Sequence, residues 1–284
     1  MMDRFFYSTD LDEALGSQSF SLVSCDVCRF RFHSRVIADQ WVPIVYGEWI
    51  SLEQVASFEE AHGFRAPEEF EERLAAIRFL MRLRKLAMAN GLKSDGLSLL
   101  DFGCGDGKLI ALGRAMGIAS FGVDVSASRV MAANASGCSI YPTLGDLADS
   151  VNKPFQMVVL SQVLEHVKDP DQILRSLGSL MTTGGVLFVG VPNCHGIQHP
   201  RNFEEFHCVQ PIEHINCFTP SSLKRFVERR GFRQVRKPFS VVTSTGLSAV
   251  RSLVGAFVHQ QSTEQFFVCT PRQLKHDTAS AKSM

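Results

Sequence analysis

Leu97-Ser98-Leu99-Leu100-Asp101-Phe102-Gly103-Cys104-Gly105-Asp106-Gly107-Lys108-Leu109-Ile110-Ala111-Leu112 is the stretch around which the chain is organised. An apolar run enters it, a glycine stands at every second position, and an amphipathic segment leaves it. That order predicts strand, tight turn and helix. The glycines permit positive φ and let a ligand lie against bare backbone.

Strand, turn and helix alone do not choose the ligand. A dinucleotide site spaces its glycines G-x-G-x-x-G and sets pyrophosphate on the helix N-terminus. Here the spacing is G-x-G-x-G, and two carboxylates, Asp101 and Asp106, flank the turn. Two negative charges repel pyrophosphate but suit a ligand carrying an ammonium and a sulfonium. Spacing and charge together favour S-adenosylmethionine over a nicotinamide dinucleotide. The stretch resembles the first motif of the class I S-adenosylmethionine-dependent methyltransferases, an acid, one residue, then G-x-G-x-G, matched by Asp101, Gly103, Gly105 and Gly107, with Cys104 between. The resemblance implies a doubly wound, Rossmann-like α/β fold with a seven-stranded sheet, mostly parallel, its last strand antiparallel.

Bulk properties fit that reading. The chain has 284 residues, 45% hydrophobic and 20% charged, with 29 basic and 29 acidic side chains. A neutral balance removes the long-range attraction that nucleic-acid binding relies on, so no nucleic-acid partner is expected. No apolar run approaches the ~20 residues of a membrane span. No charged-then-apolar leader pattern follows Met1, and a cytoplasmic location is expected. The eight cysteines then read as thiols rather than disulfides.

Residues 1–66 read as an N-terminal cap. Leu22 and Val23 belong to a short alternating segment, and Cys25-Asp26-Val27-Cys28 follows. One C-x-x-C supplies two thiolates where structural zinc takes four ligands. The segment resembles the second knuckle of the zinc ribbon that precedes the cofactor domain in some sugar and small-molecule methyltransferases; the first knuckle is absent. Two reduced thiols on a hairpin are expected, and no metal is assigned. Trp41, Tyr46 and Trp49 pack the cap or line a cleft.

From Pro67 the apolar spacing becomes helical, with glutamates early and basic residues late, as the helix dipole favours. Asn90-Gly91 ends that helix. After the glycine turn, Ala119 to Val123 reads as the second strand and closes on Asp124, roughly twenty residues past the first glycine, where a ribose-binding acid belongs. Val125 follows, and Ser126 is expected to cap the next helix. A short third strand ends at Tyr141. The resemblance sets Asp146 and Leu147 beside the adenine. Phe155 to Leu160 reads as a buried parallel strand, continued by Ser161-Gln162 at its cofactor end and by Val163-Leu164-Glu165-His166-Val167. This V-L-E-H-V stretch resembles a subgroup that includes the ubiquinone-pathway O-methyltransferases. Asp169-Pro170 opens a helix. Gly184 to Asn193 holds the fifth strand and its exit.

A long connection near 194–218 reads as a lid. Its cysteines and histidines fit no zinc spacing. Glu213-His214-Ile215-Asn216-Cys217-Phe218-Thr219-Pro220 resembles the E-H-x-x-x-F-T-P helix entry of the same subgroup. His214, with His166, is the candidate base, since imidazole titrates near neutrality. Gln234 to Val242 reads as the sixth strand, and Gln265 to Thr270 as the antiparallel seventh. Between them Leu247 to Val258 forms an apolar helical stripe. The methyltransferase domain spans 67–275, with a polar tail at 276–284. The expected activity is methyl transfer from S-adenosylmethionine to a small-molecule acceptor, sugar, polyketide or quinol-like. The alternative is a non-catalytic cofactor-binding subunit paired with another enzyme. A homodimer is left open.

Overall fold

The computed structural model describes residues 21–45, 69–210, 212–238 and 262–270. Its frame is a seven-stranded sheet. Strands β3 (Ser98–Phe102), β4 (Ala119–Val123), β5 (Ile140–Tyr141), β6 (Phe155–Ser161) and β7 (Met181–Gly190) run parallel. β9 (Phe232–Val235) and β10 (Glu264–Cys269) complete it, and β10 is antiparallel to both neighbours. The order across the sheet is β5-β4-β3-β6-β7-β10-β9.

The central strands are apolar on both faces because helices cover both. Successive side chains alternate between the two layers. Leu99, Met157, Val159, Val186, Phe188 and Phe266 face one layer, where Leu80, Leu83, Leu86 and Ala87 of helix α1 (Glu69–Ala89) pack. Leu100, Val158, Leu187, Val189 and Phe267 face the other, against Leu174 and Leu177 of α5 (Pro170–Ser179) and Leu223 and Val227 of α7 (Pro220–Glu228). The other helices of this domain are α2 (Lys108–Ala115), α3 (Ala127–Ala135), α4 (Leu144–Ser150) and α6 (Phe203–Val209), and a short helical turn at Asp39–Ile44 follows the N-terminal hairpin.

Local chemistry sets the boundaries. The Asp169 carboxylate accepts the Gln172 amide at 2.8 Å and Pro170 fills the first turn of α5. Thr219 and Ser222 form a reciprocal capping box at α7. Asn90 returns its side-chain amide to the Leu86 carbonyl, and Gly91 at φ +89° ends α1. Ser126 stands at the N-cap of α3 but does not cap it with its side chain. Its hydroxyl lies 3.1 Å from that of Ser128 instead.

A second, three-stranded sheet joins distant parts of the chain. β1 (Leu22–Ser24) and β2 (Arg31–His33) form the expected hairpin over the C-x-x-C. β2 then pairs antiparallel with β8 (Asn216–Cys217), setting Arg31 against Cys217 and Phe32 against Asn216. The N-terminal hairpin is thereby stitched to the Asn216–Cys217 segment. The sixth strand begins at Phe232, two residues before the expected Gln234. Tyr46, Trp49, the stripe from Leu247 to Val258 and the tail from His276 lie outside the described residues. No helix among the described residues is long and apolar enough to cross a membrane.

Leu187 is fully buried at the centre of the sheet. Leu187→Ala leaves a cavity between β7 and the α5 layer and is expected to cost about 2–5 kcal/mol in urea unfolding. Met131→Ala, at an exposed position, is expected to stay within about 0.5 kcal/mol of the parent.

Candidate active site

The carboxyl ends of β3, β4 and β6 converge on one edge of the sheet, where open α/β folds hold ligands. The glycine turn leaves β3 there. Gly105 has φ +55°, and a Cβ added to it meets nothing within 4 Å. The turn therefore shows bare backbone to open space at that residue. Gly103 has the opposite constraint, since its Cβ would come within 2.5 Å of Val163 Cγ2. That contact seats the glycine turn on the V-L-E-H-V segment. Cys104 lies beneath, against Gly122 and Ile110, and burial pushes its thiol upward out of the reactive range. It offers the site backbone, not a nucleophile.

Asp124 ends β4 and is buried. Its Oδ2 accepts the Gly105 amide at 2.8 Å and its Oδ1 accepts the Ser126 amide at 2.9 Å. Both oxygens are thus fixed in direction, and each keeps acceptor capacity for a second donor. This is the geometry a vicinal diol needs. Val125, next in line, is 76% exposed and presents an apolar face beside that acid. Asp101 is buried between Asp124 and Asp106, and desolvation, then the two neighbouring acids, raise its carboxyl to about 7. Asp106 is exposed and paired with Lys108 at 3.4 Å. Open backbone, an oriented diol acceptor and a buried acid awaiting a cation fit S-adenosylmethionine.

Asp146 is exposed in the first turn of α4, its carboxylate accepting the Thr143 hydroxyl at 2.6 Å. Leu147 points into the core and gives its amide to the Thr143 carbonyl at 3.2 Å. Of this pair only Asp146 is turned toward solvent. Ser161 and Gln162 close β6, both exposed. Gln162 holds φ +55°, rare for a side chain of its kind, and its amide donates to the Gly190 carbonyl at 2.8 Å.

The two family-like motifs meet. Asn216 donates its side-chain amide to the carbonyls of Leu164 at 2.9 Å and Val167 at 2.6 Å, while its own amide donates to the Glu165 carbonyl at 3.0 Å. His166 Nδ1 lies 3.0 Å from the Glu213 carbonyl. Those bonds bring His166 and His214 to 4.8 Å between ring centres, with His207 5.1 Å from His214. Both predicted histidines therefore share one cluster. Glu165 joins it: its Oε1 is 3.7 Å from His166 Nε2, and its side chain is fully buried. Glu165, His166 and His214 each offer one ligand atom, all within 4.8 Å of one another, a set able to hold a divalent cation. The sequence held a signal for Glu165, a carboxylate inside the apolar run Val163–Val167. Nothing local marked Asn216 or His207.

Burial sets the charge of the cluster. It raises Glu165 to about 8, lowers His166 to about 4 and lowers His214 to about 3. The two imidazoles are neutral at pH 7 and Glu165 carries a proton.

Comparison with known proteins places the chain. A family model described as a methyltransferase domain matches residues 69–237. A ubiquinone biosynthesis O-methyltransferase of Caulobacter vibrioides is 30% identical over 190 residues, 63% of this chain and 67% of the relative. The same-named protein of Chelativorans is 34% identical over 106 residues, and the match covers only 42% of its length. Among solved structures, a plantazolicin methyltransferase in complex with a substrate analogue and S-adenosylhomocysteine aligns at 15% identity and TM-score 0.48, covering 78% of this chain and 92% of that one. The magnesium protoporphyrin IX methyltransferase of Synechocystis aligns at 14% and 0.43, covering 80% and 97%.

The four shifted groups dictate a pH profile for the ligand-free chain. Asp101 and Glu165 have folded-state values above their ordinary ones of 3.8 and 4.5, so the stability they contribute is lost as pH rises toward 7 and 8. His166 and His214 are depressed below 6.5, so theirs is lost as pH falls from 6.5. Between pH 6.5 and 8 the two acids contribute a fall in melting temperature, which the Cys217 thiol, held down to about 6 chiefly by its bond with Cys194, opposes. Asp101→Asn should make the fall shallower while weakening S-adenosylhomocysteine binding at least tenfold; scanning calorimetry and titration calorimetry measure the two effects.

Proposed function

The chain belongs to the class I S-adenosylmethionine-dependent methyltransferases, and from that premise we propose that it methylates a hydroxyl of a small, quinol-like or phenolic acceptor. The observation that carries this reading is the neutral His166–His214 pair, 4.8 Å between ring centres on the segment that leaves the carboxyl end of β6 and meets Gly103 of the glycine turn through Val163. A hydroxyl must lose its proton to become a nucleophile toward the sulfonium methyl. Neutral amines and stabilised carbanions need less help. The activity named for the ubiquinone-pathway relatives points the same way.

In the proposed reaction Gly105 and Asp124 hold the cofactor, and Asp101 faces its cationic end. The donor methyl is already activated, so the protein must align the acceptor oxygen with the carbon–sulfur bond and exclude water. The acceptor hydroxyl gives its proton to His214 Nδ1, an atom with no hydrogen-bond partner among the described residues. The oxygen takes the methyl, and the carbon–sulfur bonding pair stays on sulfur. His166, turned by the Glu213 carbonyl, and Glu165 behind it stabilise the imidazolium once Glu165 is ionised. A divalent cation on Glu165, His166 and His214 is a second reading. It is favoured by Glu165, whose buried oxygens have no hydrogen-bonding side-chain partner among the described residues; such a cation would supply Lewis acidity toward the acceptor oxygen. The lid and cap hairpin form the acceptor side, and we place the reaction in the cytoplasm. The non-catalytic alternative finds no support.

The test is release of S-adenosylhomocysteine across a panel of catechols, phenols, sugars and amines. His214→Ala is expected to lower kcat about 10²- to 10⁴-fold with cofactor affinity kept within a few-fold. Equal loss of both would assign His214 to structure. Asp124→Ala should weaken cofactor binding at least tenfold, read by titration calorimetry.

The kcat/KM profile is expected to rise with pH through about 8, where Glu165 ionises. Glu165→Gln should flatten that limb. Chelator treatment followed by Mg²⁺, Mn²⁺ or Zn²⁺ readdition separates the cation reading from the proton reading.

A further inference from the structure

The β1–β2 hairpin and α7 leave a hollow between them that the proposed reaction does not use. Its volume is about 290 Å³. Phe30 and Phe226 line it with apolar surface, their rings stacked at 5.8 Å between centres and 18° between planes. An apolar cavity of roughly 150 Å³ already takes a benzene molecule, so an aromatic ring or a short acyl chain fits here. The charged part of the lining has one sign. Arg29 of the hairpin turn, Arg225 of α7 and Arg229 just past its end line the hollow, and no carboxylate does. All three arginines are exposed, and none pairs with an acid among the described residues.

The arginines at the end of α7 complement the helix dipole. Arg29 has no such reason, since it comes from the other element. It holds φ +60°, the left-handed region that tight hairpin turns reserve for glycine. The turn is closed by backbone: the Arg29 amide donates to the Cys25 carbonyl and the Cys25 amide to the Phe30 carbonyl, both at 2.8 Å. That closure asks nothing of the arginine side chain. A bulky residue kept in a strained conformation signals a use for its side chain. Across the hollow, Arg225 is held by one bond, from its guanidinium to the Cys28 carbonyl at 3.0 Å. Guanidinium groups gathered on one hollow repel one another, and an anion between them reverses the sign of that interaction.

We propose that this hollow binds a small phosphate monoester, its phosphate received by the arginines and its apolar body laid against Phe30 and Phe226. Guanidinium takes phosphate oxygens two at a time. A phosphate monoester carries close to two negative charges at neutral pH, where a carboxylate brings one. The ligand is bound and not chemically changed, and it bridges the hairpin and α7. The hollow shares no residue with the glycine turn or with the His166–His214 pair, so the proposal stands apart from the methyl-transfer reading.

The test is titration calorimetry on the full chain at low salt, with phenyl phosphate as the probe. Phenyl phosphate is expected to bind about tenfold more tightly than inorganic phosphate, the gain from covering a phenyl ring, and to weaken as salt rises. Arg29→Gly should melt no lower than the parent, because glycine suits the turn, yet bind phenyl phosphate about tenfold more weakly. Arg29→Gly/Arg229→Gln should lose the remaining affinity. Both variants should bind S-adenosylhomocysteine like the parent, which shows that they are folded. No binding of phenyl phosphate by the parent overturns the proposal, as does equal affinity for inorganic phosphate or binding that survives the double variant. Binding lost in His214→Ala and kept in the arginine variants would place the probe at the histidine pair and overturn it as well.

Discussion

Two carboxylates lie side by side at the ends of adjacent parallel strands, and everything at this edge of the sheet answers to their charge. The register of β3 on β4 pairs Asp101 with Gly122 and Phe102 with Val123, which brings Asp101 close to Asp124. Asp124 is accommodated by the amides of Gly105 and Ser126. No cation among the described residues pairs with Asp101. A fold tolerates an unneutralised buried acid where a ligand brings the missing charge. The glycine turn follows from the same constraint, because only bare backbone brings the Gly105 amide to Asp124 and leaves space above it.

The side proposed for the acceptor is assembled differently. It rests on one side chain, Asn216, which closes the Leu164–Val167 turn by two carbonyls while its own amide reaches a third. Through it the segment ending at Cys217 carries His214 against His166, and through β8 it also carries the N-terminal hairpin. The glycine turn and this segment thus have separate supports, linked where Val163 packs against Gly103.

What the sequence disclosed follows the range of the interactions. The turn from Asp101 to Gly107, the acid closing β4 and the caps at Asp169 and Thr219 are local, and their residue types announce them. The antiparallel β10 was legible through the fold that the motifs implied. The Glu165–His166–His214 cluster was legible in part: both histidines stand out, but Glu165 does not, and the meeting of His214 with the Glu165–His166 segment depends on bonds such as Asn216 to Leu164, 52 residues apart. Ser126 misled for a related reason. The acid two residues before it takes the backbone amide that a capping pattern predicts for a side chain nearby, and its hydroxyl turns to Ser128. The Leu147 side chain fills the core, which leaves its backbone as the part the resemblance sets beside the adenine.

The small sheet has a bearing on how the chain reaches its native state. Its first two strands are made early, yet their third partner, β8, belongs to the far end of the lid. The Arg225 bond to the Cys28 carbonyl spans 197 residues of sequence. Contacts of such separation carry a large closure entropy and form late. Until β8 arrives, β2 presents an open strand edge with Phe32 beside it, the kind of edge that recruits a neighbouring chain. The nascent hairpin therefore depends on timing. Synthesis must pass Cys217 before that edge is covered, and a pause short of it leaves β2 open to pairing with another strand.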